Sequence, residues 1–99
     1  MKNPIRLGLI GCGGIVQQQH LPTLIELDEV EISALADPME DNLASVGQTT
    51  GVHTDQRYTD YRDMLSRENI DAAIIATPHN LHAQQAIDAI YAGLTELSA

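Results

Sequence analysis

The sequence predicts an α/β fold: a parallel sheet with strand order 3-2-1-4, helices on both faces, and fifth and sixth strands missing. Three observations predict it. Short apolar runs alternate with stretches of helical periodicity along the 99 residues. Two of those runs, "IRLGLI" and "IDAAIIATP", are nearly continuous in apolar character, as strands buried on both faces must be. Each clear run closes on glycine, proline or an acid, and β-α alternation of this length implies parallel strands joined by crossovers.

Taken in order, Ile5 to Ile10 is the first strand, and the glycines after it open a turn. Beyond Gly14, residues Ile15, Val16, the three glutamines and His20 continue as a helix. Pro22 lacks an N–H and forbids an uninterrupted ladder, so a second helical piece starts near it. "VEISALAD", Val30 to Asp37, is the second strand, with Val30, Ile32, Ala34 and Ala36 on one face and Ser33 and Leu35 on the other. Pro38 opens the next helix, which carries Leu43 and Val46 three apart and terminates at Gly51. "GVHTD" supplies a short third strand. Thr59 suits the N-cap of "DYRDMLSRE", where Tyr61, Met64 and Leu65 form one apolar stripe. Ile70 to Pro78 is the fourth strand. Asn80 caps a final helix bearing Leu81, Ala83, Ala86, Ile87 and Ile90 at helical spacing, and Gly93 stops it.

A chain of this length fits one domain near the lower limit for a core without disulfides or metals. With no Phe and no Trp, that core is built from Ile, Leu, Val and many alanines. The formal charge is −9, and the bases are Lys2, Arg6, Arg57, Arg62 and Arg67, with none from position 7 to 56. Nucleic acid, which needs clustered cations, is therefore not an expected partner. A small ligand whose phosphates are met by backbone N–H groups is compatible with this charge. Lys2 and Arg6 precede an apolar stretch, but glycines break it and no small-residue cleavage site follows, so it does not read as a secretory signal. No run approaches the length of a membrane span. The single cysteine, Cys12, fits a reducing compartment, and a cytoplasmic location is expected.

The chemistry concentrates in two places. "GCGG", Gly11 to Gly14, lies between a strand and a helix, and Asp37 closes the next strand 24 positions after Gly13. This is the layout of a dinucleotide fingerprint: Gly11 permits the tight turn, Gly13 lets the backbone approach a pyrophosphate, and the helix start offers free N–H groups. Its plain alternative is a glycine turn with no ligand. Asp37 would accept hydrogen bonds from a ribose diol, or cap the helix after Pro38, or both. A carboxylate there repels the extra phosphate of NADP, so NAD is favoured. The third fingerprint position, normally Gly or Ala, is Val16; Ala34, Ala36, Ala72, Ala73 and Ala76 are the candidates to make room for it. The second place is "ATPHNLH", Ala76 to His82, at the carboxyl end of the fourth strand, where open parallel sheets bind ligands. Thr77, His79, Asn80 and His82 could face the nicotinamide half, although either histidine could equally be a solvated or capping side chain. His79 and His82 lack an obvious third ligand for zinc, and His20 and His53 read as structural.

These residues carry a resemblance. "IRLGLIGCGGIVQQQHLPTL", "ISALADP" and "YTDYRDMLSRENIDAAIIATPHNLHAQQAIDAIYAG" resemble the nucleotide-binding half of the glucose-fructose oxidoreductase, inositol dehydrogenase and MocA family, from about Ile5 to Gly93. The resemblance implies a Rossmann fold that binds NAD or NADP, with the glycine loop on the pyrophosphate, the acid after strand 2 on the adenosine ribose, and the Thr-Pro segment near the nicotinamide. The cofactor-binding set is then Gly11, Gly13, Gly14, Ile15, Asp37, Thr77, Pro78, His79 and His82, with no catalytic and no metal residue assigned. Two departures stand out: Val16, and "LTELSA" where the family continues into a fifth strand and a Glu-Lys-Pro motif whose lysine takes part in catalysis. Residues 1–99 are accordingly expected to form a truncated dinucleotide-binding domain without its substrate domain, unable to transfer hydride alone. A strand 4 left as an open edge is expected to drive homo-oligomerisation, through that edge, nearby helices or chain exchange. The alternative is a non-enzymatic module that keeps the fold and binds itself or a partner.

Overall fold

Leu7, Gly8, Leu9 and Ile10 are buried in succession, which a strand achieves when it has neighbours on both sides and helices on both faces. The computed structural model describes residues 4–14, 17, 21–77, 84, 85, 87, 88 and, as backbone, 95–98. In it β1 (Ile5–Ile10) is the middle strand of a parallel sheet ordered β3-β2-β1-β4-β5. Its partners are β2 (Val30–Ala36), β3 (Arg57–Tyr58), β4 (Ala72–Ile75) and β5 (Thr95–Ser98). Helices whose full extent falls among the described residues are α1 (Leu21–Glu26), α2 (Glu40–Thr50) and α3 (Tyr61–Arg67). Among the described residues no helix is long and apolar enough to cross a membrane.

The order 3-2-1-4 is as expected, but the fifth strand is not missing. Thr95–Ser98 pairs with Ala72–Ile75 in parallel register. The backbone groups along β4 recruit a segment whose composition, "TELS", has little strand character of its own. The β4 edge is therefore paired, and the expectation of self-association through it loses its basis. The third strand also shifts. "GVHTD" contains no strand; a 3-10 turn at Thr54–Gln56 begins within it, and β3 is Arg57–Tyr58. Asp60, not Thr59, caps α3, accepting the Arg62 N–H at 2.9 Å. Gly51 ends α2 as expected, in the left-handed conformation at φ 79°.

Strict alternation along β2 fails at one position. Leu7 pairs with Ile32 but Gly8 pairs with Ala34, so Ser33 is an extra residue and the faces swap there. Val30 and Ile32 join Leu35 on the face with Leu7 and Leu9, covered by Leu21 and Leu24 of α1 and Leu43 and Val46 of α2. Ala34 and Ala36 turn to the opposite face with Ile10, Ala73 and Ile75, beneath Met64, Tyr61 and Leu65 of α3. Of the five alanines expected to relieve Val16, Ala72 and Ala76 lie on the α1 side and the other three do not. Val16 itself is outside the described residues.

The α3 face is shaved to admit its helix. A Cβ on Gly8 would lie 2.6 Å from Ile70 Cδ1 and 2.9 Å from Met64 Cε, so the absence of a side chain there lets α3 settle on β1. On the other side, a Cβ on Gly47 would meet the Arg57 guanidinium, which crosses α2 to donate to the Val52 carbonyl at 2.8 and 3.1 Å. Helix and strand are thereby keyed together next to β2.

The amino end of the sheet is closed by Arg6 and Asp71. Asp71 accepts the Arg6 main-chain N–H at 2.9 Å and its guanidinium at 3.2 and 3.4 Å, and returns its own N–H to the Arg6 carbonyl at 2.7 Å. These bonds, the main-chain one first, lower the Asp71 pKa from 3.8. A lowered folded-state pKa means the contribution is full above the unfolded value and is lost as pH falls through the folded one. Urea unfolding as a function of pH should therefore show Asp71→Asn less stable than the parent at neutral pH, with the difference shrinking below pH 3.8. A difference that persists undiminished at lower pH would contradict this assignment.

Candidate functional site

The glycine loop leaves β1 at the carboxyl edge of the sheet and is held there from both sides. Gly11 donates its N–H to the Ala36 carbonyl at 2.8 Å, and Ala76 donates to the Ile10 carbonyl at 2.9 Å. Gly11 has φ 98°, and a Cβ on it would lie 2.7 Å from the Ala76 carbonyl oxygen. Both the dihedral and a rigid backbone neighbour demand glycine. Gly13 is different: its φ is not positive, and among the described residues an added Cβ would meet nothing within 4 Å. Gly14, at the start of a helical turn in which Gln17 donates to the Gly13 carbonyl at 3.1 Å, is equally uncrowded. Packing among the described residues does not account for glycine at either position.

Asp37 follows β2 and is 7% exposed. Its Oδ2 accepts the Cys12 N–H at 2.7 Å, and its Oδ1 accepts the Met39 N–H at 2.8 Å and the Asn42 amide at 3.3 Å. The carboxylate therefore braces the glycine loop and the entry to α2 together; an ionised carboxylate has about four lone-pair sites and keeps capacity for a ligand hydroxyl. The Cys12 thiol lies behind the loop, fully buried, with Sγ 3.8 Å from the Ala36 carbonyl. Burial, then the Asp37 charge, push its pKa up to about 12. Gln17 ties the loop outward, donating to the Cys12 carbonyl at 3.0 Å and accepting from the Ser45 hydroxyl at 3.0 Å.

Gly11, Gly13, Asp37 and Thr77 line one cleft of about 640 Å³. Its lining also includes Ile10, Ala36, Pro38, Met39, Tyr61, Arg62 and Gln85. Thr77 donates its hydroxyl to the buried Gln85 side chain, fixing the residue after Ala76 against Gln85. Tyr61 donates to Asp88, which also accepts from Gln84 at 2.9 Å; these two bonds lower the Asp88 pKa, while burial and the Asp88 bond raise that of Tyr61. Ile15, Pro78, His79, Asn80 and His82 lie outside the described residues. Met39, Asn42, Tyr61, Arg62 and Gln85 were not expected. Tyr61 and Arg62 had a signal: they follow the carboxyl end of a strand, on the edge where such sheets bind ligands.

A glycine turn bound to an acid across the carboxyl ends of adjacent parallel strands, beside an apolar-walled cleft, defines a Rossmann-type dinucleotide-binding domain. The family model described as "Oxidoreductase family, NAD-binding Rossmann fold" matches residues 5–97, and the chain belongs to that family, GFO_IDH_MocA. It is 34% identical over 89 residues to 4-carboxy-2-hydroxymuconate-6-semialdehyde dehydrogenase of a Sphingobium species, covering 90% of this chain and 27% of that protein. The WlbA dehydrogenase of Bordetella pertussis, solved in complex with NADH and UDP-GlcNAcA, superposes with TM-score 0.87 at 33% identity over 97% of this chain and 28% of its own. KijD10, a 3-ketoreductase of Actinomadura kijaniata solved with TDP-benzene and NADP, gives 0.87 at 31% identity over 97% and 29%. The chain thus spans little more than a quarter of the length of these relatives.

Two outcomes follow from the loop. Gly11→Ala should cost about 2 kcal/mol or more, because left-handed strain adds to a backbone collision, whereas Gly13→Ala should change the urea midpoint little. Equal losses would refute the distinction. Cys12 should resist a thiol-reactive chromophore at pH 8 in the native state and react fully in denaturant, since a buried thiol at about 12 holds almost no thiolate there.

Proposed function

We propose that the cleft takes the pyrophosphate and adenosine half of a nicotinamide dinucleotide, with NAD preferred to NADP. The observation that carries this reading is Gly13, a glycine that no contact among the described residues requires, lining the cleft beside a loop braced by Asp37. In this reading Gly11, Gly13 and Gly14 present main-chain N–H groups to the pyrophosphate and Asp37 accepts from the adenosine ribose. Thr77 sits toward the nicotinamide, and Ile15, Pro78, His79 and His82 complete the set on sequence grounds. The cofactor, when bound, supplies the hydride donor or acceptor. The buried Asp37 charge disfavours a 2′-phosphate at the same ribose, although relatives of known structure carry NADH or NADP. A cytoplasmic, reducing setting suits the buried thiol.

Residues 1–99 are proposed to bind this cofactor without turning it over. Hydride transfer needs a substrate held against the nicotinamide with a proton donor or acceptor in reach. The competing reading, a non-enzymatic module that binds itself or a partner, drew on an exposed edge and an acidic surface, with Val16 and the absent lysine in its favour; β5 pairs along the β4 edge.

Isothermal titration tests the proposal. NAD should bind, and NADP at least about tenfold more weakly, an electrostatic difference of about 1.4 kcal/mol. Gly13→Val should abolish NAD binding at an unchanged thermal midpoint, and Asp37→Ala should weaken NAD while narrowing the gap to NADP. No heat at millimolar NAD would overturn the binding claim, and any dehydrogenase turnover by the isolated chain would overturn the claim that it lacks catalysis.

A further inference from the structure

Among the described residues Arg62 is the one cation lining the cleft, and the proposed pyrophosphate and ribose contacts make no use of it. Its guanidinium carbon lies over the ring of Tyr61, 5.1 Å from the centroid. Its Nε is 3.8 Å from Asp88 Oδ2, the same oxygen that accepts the Tyr61 hydroxyl. The planar group is thus supported by a ring and restrained at one side by a carboxylate, while its side chain stays 66% exposed. A phosphate site would want a cation free of competing anions, and Asp88 already pairs with this one. A delocalised cation layered on an aromatic, in a cleft also lined by Ile10, Pro38 and Met39, suits a flat π-system instead.

We propose that Arg62, seated on Tyr61 and tethered by Asp88, is the platform on which the adenine ring of the dinucleotide stacks. This inference rests on the proposed cofactor site. It makes Arg62 an affinity determinant for the purine, acting through its planar face rather than its charge.

Titrations with NAD, NADP, adenosine and nicotinamide mononucleotide, the weak fragments followed by ligand-observed NMR, separate the two readings. Arg62→Ala should weaken NAD and adenosine about tenfold and leave nicotinamide mononucleotide unchanged. Arg62→Lys keeps the charge but not the plane, and should behave like Arg62→Ala. Because Arg62 is largely exposed, both variants should keep the unliganded thermal midpoint. Wild-type affinity for NAD in Arg62→Ala would overturn the platform alone, as would a Lys variant that retains full affinity or a loss confined to NADP. Failure of the parent chain to bind NAD would overturn the platform together with the site it rests on.

Discussion

The geometry of the carboxyl edge depends on one buried carboxylate. Asp37 accepts a loop N–H on one oxygen and the α2 entry on the other, so the glycine loop, the end of β2 and the start of α2 move as a unit. A bond to an ionised acceptor is roughly twice as strong as a neutral one, and removing the carboxylate would strand the Cys12 N–H away from water. The same charge, next to a desolvated thiol, keeps Cys12 protonated. The cysteine therefore fills space behind the loop and adds no reactive group to the cleft.

The cleft has its second wall because the α3 face of the sheet is paved with small residues. Gly8, Ala34, Ala36 and Ala73 leave depth for Met64, and Met64 is fully buried over them. Docking that low brings the first turn of α3, with Tyr61 and Arg62, into the cleft that Asp37 also lines. The bulge at Ser33 is what makes the paving continuous. Without it Ile32 would share a face with Ala34 and Ala36, and a bulky branched side chain would stand under the helix.

The parallel order, the limits of β1, the glycine terminator of α2 and the pairing of the glycine loop with Asp37 were legible because each rests on local chemistry: an apolar run, a left-handed turn, an acid at a strand end. What escaped was set by distant contacts. β5 forms because β4 offers a row of backbone partners, not because Thr95–Ser98 favours extension. The exchange of faces in β2 is invisible in "VEISALAD", since alternation continues through Ser33 in the letters but not in the ladder. Thr59 and Asp60 are both competent caps, and the choice between them turns on which residue adopts extended backbone before the first helical turn. Arg62 reads as a surface charge until the fold aims it at the cleft.

The two loop glycines illustrate why one residue type can report on two different constraints. Gly11 is explained from within: its φ and the Ala76 carbonyl exclude any side chain whether or not a ligand exists. It therefore says little about function. Asp37 is ambiguous in the opposite way, because it already satisfies three donors of its own chain, and its loss would disturb the loop as well as any ribose contact. Gly13 differs from both: among the described residues it has open space beside it and an ordinary dihedral, so a side chain there would clash with none of them and intrude on whatever approaches the loop. Weight for a bound dinucleotide belongs on the glycine that no contact among the described residues requires.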